Sequence, residues 1–298
     1  MAVDHRLVTL TAIDGATHDA LLVIDERAAR ARERASGRRT ACFHVHGIMG
    51  NFLVGTLRFL APAVARAGFP VLVIETRMGN VGQLFGPGIF DRARRDIDVA
   101  VRWLRDECGF TDLIAMGYSS GATLAARWAA TRHVPWLRGV ALLGAPWGLP
   151  ESLEERARRW GAEPDYETLH ATAEPIVHSL NGADDDRLFV IERSRGPTRM
   201  PKDSEVYTYR TWWHSRGPEA DTAKTHLQIG GVWAPILLLQ GTADTVVFPD
   251  EASRLAEVAR AAGNRDVEVQ MIDGATHFFK DREIITRDHL VRWMRARA

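Results

Sequence analysis

A chain of 298 residues, 46% of them hydrophobic, is long enough to bury a large core, and one α/β domain with an elaboration accommodates it. Its 38 basic and 38 acidic residues cancel, so no global field draws it to nucleic acid or to an anionic membrane. No run approaches the ~18 apolar residues of a membrane span, and charged residues in Met1-Ala-Val-Asp-His-Arg6 stand where a signal peptide needs its apolar segment, so the expectation is a cytoplasmic protein. Two cysteines, Cys42 in a predicted strand and Cys108 at a predicted helix end, fit reduced thiols better than a disulfide or a metal site.

In chain order, residues 6–12 and 18–25 are short β-rich runs parted by Asp14-Gly15, which predicts an antiparallel hairpin. Six arginines between Arg27 and Arg39 read as a solvated connector or frayed helix rather than a polyanion patch. Residues 40–46 form a strand that runs into His46-Gly47-Ile48-Met49-Gly50-Asn51. A helix follows from Leu57 to Ala67, with Pro62 tolerable only near a first turn. Pro70–Thr76 is a continuous apolar run, as expected of a strand in a parallel sheet covered on both faces. A glycine-rich loop from Met78 to Gly88 leads to a helix in which Ala93, Ile97, Ala100, Val101, Leu104 and Cys108 make an apolar stripe.

The next stretch organises the rest. Gly117-Tyr118-Ser119-Ser120-Gly121 lies between an apolar strand (112–116) and an Ala-rich helix (122–131). A serine in this setting sits on a sharp strand-to-helix turn, a nucleophile elbow, and a Cβ at either flanking glycine would collide with the neighbouring strand or helix. The turn lifts the Ser119 hydroxyl above the sheet, and the new helix points its free amides, Ser120 first, at a developing oxyanion.

After a buried strand at 137–143, the strand-helix rhythm stops from about 149 until residues 234–240 restore it. Ser152-x-x-Glu155 reads as a capping box opening a helix from Leu153 to Trp160, and Asp165–Leu180 and Asp184–Glu192 read as further helices. The expected division is a core in two parts, 1–148 and 231–298, with a helical cap, 149–230, between the sixth and seventh predicted strands. Tyr207, Tyr209, Trp212 and Trp213 either face a substrate or glue cap to core. Beyond the seventh strand come Asp244, a helix (250–262), a strand (267–272), the loop Asp273-Gly-Ala-Thr-His277-Phe-Phe279 and a terminal helix to Arg295.

Ser119, Asp244 and His277, each just beyond a predicted parallel strand, are arranged as in the α/β-hydrolase superfamily, which the chain resembles over roughly residues 40–150 and 230–298. The resemblance implies a mostly parallel central sheet with helices on both faces. It implies Ser119 as nucleophile, His277 as base, Asp244 as the carboxylate that orients it, and the Ile48 and Ser120 amides as oxyanion hole. His46, with Gly47 and Asn51, would support the oxyanion loop, although His46 taken alone can be mistaken for the base. The loop 144–150 after the sixth strand, the family's other place for the acid, has none. Tyr118, Trp147, Trp212 and Trp213 are candidate substrate contacts. The implied chemistry is acyl transfer to water on a small-molecule ester, with lactones and thioesters close behind, and it needs neither metal nor organic cofactor. A binding module on the same fold, its triad vestigial, is the rival class. No partner protein and no oligomeric state is implied.

Overall fold

The computed structural model describes residues 3–48, 50–79, 89–179, 187–194 and 202–298. The predicted glycine-rich loop lies outside these residues beyond Gly79, as do Met49 and the first part of the predicted helix from Asp184.

The hairpin forms as β1 (Asp4–Thr11) and β2 (Thr17–Ile24). The arginine-rich stretch is helix α1 (Glu26–Ser36), started by the Asp25 carboxylate accepting from the Ala28 amide at 2.9 Å. None of its residues is buried, consistent with a solvated helix. Then come β3 (Thr40–Val45), α2 (Thr56–Arg66), β4 (Val71–Ile74), α3 (Arg94–Arg102), β5 (Asp112–Tyr118), α4 (Ser120–Ala130) and β6 (Leu137–Leu143). Pro62 departs from expectation: it lies in the interior of α2. The helix tolerates the missing N–H because Leu57, Leu60, Ala61, Val64 and Ala65 are all buried, and at roughly 1.5–3 kcal/mol per large apolar side chain that burial outweighs one lost hydrogen bond.

Past the insertion, β10 (Ile236–Gly241), α9 (Pro249–Ala261), β11 (Val267–Ile272) and α10 (Glu283–Arg295) complete the core. The eight-stranded sheet has the order β1-β2-β4-β3-β5-β6-β10-β11. It is parallel from β4 to β11, with the hairpin antiparallel at one edge. Alternate residues of each buried strand serve opposite layers. Ala41, Phe43 and Val45 of β3 belong to the layer of the core covered by α3, α4 and α9, while Cys42 belongs to the layer covered by α2 and α10 on the other face. Parallel pairing brings the carboxyl ends of β3, β5, β6, β10 and β11 to one edge of the sheet, which is where the site forms.

The insertion is not wholly helical. Its elements are α5 (Leu149–Trp160), β7 (Ala162–Glu163), α6 (Tyr166–Val177), β8 (Leu188–Ser194), β9 (Lys202–Thr208), α7 (Tyr209–Arg216) and α8 (Thr225–Ile229). The strands β7-β8-β9 make a second, antiparallel sheet. Residues 188–192, read from sequence as helix, are therefore strand. The expected capping box is also absent: α5 begins at Leu149, so Ser152 lies inside it, and the Ser152 hydroxyl donates instead to the Glu251 carboxylate at 2.7 Å. Asp165 does cap α6, accepting from the Thr168 amide at 2.7 Å. Leu169, Ala173, Ile191, Tyr207, Trp212 and Trp213 form a separate small core, whereas Ala220, Ala223 and Ile229 near the end of the insertion belong to the main one. Among the described residues no helix is long and apolar enough to cross a membrane.

Candidate active site

Ser119 joins β5 to α4 with φ 56° and ψ −125°, a left-handed backbone that a non-glycine residue adopts only under constraint. The constraint is close packing. A Cβ on Gly117 would come 2.3 Å from the Gly121 carbonyl oxygen, and one on Gly121 would come 2.2 Å from that of His46. The turn is tied to the neighbouring strand by the Ser119 amide, which donates to Leu143 at 2.8 Å.

Two further loops reach the serine. His277 follows β11, and its Nε2 lies 3.0 Å from Ser119 Oγ; its Nδ1 lies 2.8 Å from Oδ2 of Asp244, which follows β10. The carboxylate is buried and fully engaged. Oδ1 accepts from the Val246 and Val247 amides at 2.8 and 2.9 Å, and Oδ2 also accepts from the Gln240 side chain at 3.1 Å. With the carboxylate as acceptor, Nδ1 must carry the ring proton, which leaves Nε2 free to accept one from the serine. Tyr118 covers the imidazole at 5.1 Å between ring centroids.

His46 is built differently. Its Nε2 accepts from the Thr76 amide at 3.1 Å, so Nδ1 is the protonated nitrogen and donates to the Gly47 carbonyl at 2.6 Å. Burial pushes its pKa down to about 4, so the ring stays neutral. The Gly47 carbonyl accepts from the Gly50 amide as well, at 3.1 Å. Since the Gly47–Ile48 peptide is trans, these two bonds turn the Ile48 N–H the opposite way. Asn51 braces the next turn, its side chain accepting from the Leu53 amide at 2.8 Å. Thr76 is held in turn by its neighbour Arg77, whose guanidinium bridges Asp96 of α3 and Asp14 of the hairpin at 2.7 Å to each.

A cavity of about 270 Å³ opens over the serine. Gly47, Ile48, Tyr118, Ser119, Ser120 and His277 line it, so eight of the residues named from sequence meet here: these six, Asp244 behind His277, and His46 beneath the Gly47–Ile48 peptide. The three candidate tryptophans do not line it. Trp147 stacks on His226 with 4.5 Å between centroids and faces a different surface hollow, and Trp212 and Trp213 are interior to the insertion's small core. Sequence reasoning missed Phe278, Val246, Val247 and the arginines Arg156, Arg193 and Arg216, all of which line the cavity. Arginine in an Arg-rich insertion carries no signal of its own; an inward-facing arginine in a strand would have carried one, had the strand been recognised.

Residues 37–282 match the family described as serine aminopeptidase, S33. No curated protein sequence matches the chain. Solved structures of similar architecture include an esterase of Pyrococcus furiosus, 14% identical with a TM-score of 0.64, the likeness covering 99% of this chain and 91% of that one. Est1E from Butyrivibrio proteoclasticus, solved with ferulic acid bound, is 12% identical at a TM-score of 0.66 over 97% of this chain and 99% of its own. DcsB, in complex with its substrate analogue, is 12% identical at 0.72 over 99% and 100%. At such identities the likeness speaks to fold.

Proposed function

Since the chain belongs to the serine aminopeptidase S33 family of α/β-hydrolases, we propose that it hydrolyses a small carboxylic ester through an acyl-enzyme on Ser119. The observation that carries this reading is the unbroken hydrogen-bonded chain from Ser119 through His277 to Asp244, set in a cavity of small-molecule size.

As Ser119 Oγ bonds to the ester carbonyl carbon, His277 Nε2 takes its proton, and Asp244 stabilises the imidazolium and holds its tautomer. The Ile48 amide, oriented through His46 and Gly47, and the Ser120 amide at the start of α4 receive the oxyanion. Collapse breaks the C–O bond, and the proton on Nε2 passes to the leaving alkoxide. Water then attacks the acyl-enzyme by the same route, giving its proton to His277 and releasing the acid. An ester suits this machinery better than an amide because its alkoxide departs more easily; lactones and thioesters offer the same carbonyl. Two free cysteines, Cys42 buried in β3 and Cys108 beyond α3, fit work in the cytoplasm.

The test is labelling with a fluorophosphonate, followed by a burst of 4-nitrophenol from 4-nitrophenyl acetate. Labelling and burst should both vanish in Ser119→Ala. A folded protein that takes no label and shows no turnover would make this fold a binding module.

A further inference from the structure

Among the described residues, the lining of the cavity over Ser119 carries more cationic than anionic charge. Three arginines line it, from three elements of the insertion: Arg156 of α5, Arg193 of β8 and Arg216 of α7; among the described residues no aspartate or glutamate lines it. Arg193 and Arg216 are 6% and 3% exposed. Behind them stands one carboxylate, Glu205 of β9, which pairs with Arg193 and accepts from the Tyr207 hydroxyl at 2.9 Å. Among the described residues, Arg156 donates to the Val246 carbonyl at 3.0 Å and Arg216 to that of Ser215, at 3.4 Å. Among the described residues neither is ion-paired with a carboxylate, and the Nε groups of all three arginines are buried without a hydrogen-bond partner. Glu251, the other buried carboxylate near Arg156, is taken up by Ser152 and the Trp147 and Phe248 amides.

Buried guanidinium groups left short of anions are costly, and their planar forks fit carboxylate oxygens two at a time. The strain shows in the neighbours. Burial, and then Arg193, pushes Arg156 below its ordinary value. Burial alone would raise the Glu205 carboxyl, yet Arg193, Arg216 and Arg156 together hold it below the usual range.

Resting on the serine-hydrolase reading, we infer that the substrate is a small ester bearing a second, free carboxylate, which Arg156, Arg193 and Arg216 hold while Ser119 attacks the ester carbonyl. The size of the cavity limits the choice: a charged group among the arginines and a carbonyl at Ser119 must belong to one short molecule. Half-esters of short dicarboxylic acids and esters of short hydroxy acids both meet this requirement, and they differ in whether the charge rides on the acyl or the alcohol side.

Two substrate pairs separate these sources: mono-4-nitrophenyl glutarate against 4-nitrophenyl valerate, and 3-acetoxypropionate against its amide. In at least one pair kcat/KM should favour the anion by about 10- to 100-fold, as expected for charge-assisted hydrogen bonds, and the ratio should fall toward one in Arg216→Gln. Arg156→Gln, which leaves the Arg193–Glu205 pair intact, serves if Arg216→Gln does not fold. Neutral esters turned over at Ser119 with no anion preference in either pair would overturn the inference and leave the hydrolase reading standing. Calorimetric titration of glutarate into Ser119→Ala needs no turnover at all. Binding that is lost in the added Arg216→Gln or Arg156→Gln change, and not seen with glutaramide, supports carboxylate recognition by the arginines even if the hydrolase reading fails; no glutarate binding sinks it.

Discussion

His46 Nδ1–H donates to the carbonyl oxygen of the next residue, Gly47, at 2.6 Å, and so sets the plane of the peptide that carries the Ile48 amide. The link to catalysis is through position alone, because the imidazole touches neither Ser119 nor the cavity. His46→Ala should therefore lower kcat with little change in KM, by up to about 10²-fold, the lower end of the loss on removing one oxyanion donor; the Gly50 amide still holds the carbonyl. Steady-state kinetics on a chromogenic ester measure both constants. A loss as large as that of Ser119→Ala would instead make His46 a proton carrier.

Asp244 receives four donors, two on each oxygen. Asparagine in its place must turn its own N–H groups toward either the Val246 and Val247 amides or His277 and Gln240. The imidazole can relieve the second clash by moving its proton to Nε2, where it can no longer accept one from Ser119. Asp244→Asn should thus fold with near-native far-UV circular dichroism yet lose about 10⁴-fold in kcat. Activity within tenfold of the parent would mean that the carboxylate does not govern the tautomer.

His44 and His46 are fully buried, and burial lowers their pKa values to about 3 and about 4, His46 adding to the effect at His44. In the unfolded chain both would titrate near 6.5. Below that pH the unfolded state takes up protons that the folded state refuses, so stability is complete above pH 6.5 and drains away on acidification toward pH 4. At pH 5 the loss is about 2 kcal/mol for each histidine. Urea unfolding at pH 7, 6 and 5 should show a slope shallower by one proton in His44→Gln than in the parent; equal slopes would place the pKa of His44 near its ordinary value.

The core was legible because strands such as β3 and β4 are buried on both faces and read as continuous apolar runs. The loops bearing Ser119 and Asp244 could be placed because β5 and β10 are such strands; His277 follows the half-exposed edge strand β11 and was placed by its loop after the last predicted strand. The insertion was opaque for a reason tied to what it does. In β8, Arg193 is buried while Leu188 and Val190 are 53% and 49% exposed, and in β9 Glu205 is buried, so the inward positions are partly ionic and the apolar alternation of a strand is scrambled. Ile191 pairs with Glu205 across the ladder, which puts Arg193 and Glu205 diagonally adjacent on one face. A pattern built to present charge to a cavity hides the strand that carries it.

Trp212 and Trp213 carry the last prediction. Adjacent residues on a helix point about 100° apart, so at most one of them could face a substrate. In the structure neither does: Trp212 packs against Tyr166 and Phe189, Trp213 against His170 and His178, and both are buried away from the cavity lining. Truncating either to Ala should cost about 3–5 kcal/mol of stability. Because no substrate contact is lost, the ratio of kcat/KM for an acetyl and a hexanoyl 4-nitrophenyl ester should stay where it is in the parent. Both rates would fall together if the insertion loosens, since α7 also carries Arg216 at the cavity. Melting temperatures measured beside the two ratios separate the effects: a lowered melting temperature with an unchanged ratio fits packing, and a ratio that moves in either variant returns that tryptophan to the substrate site.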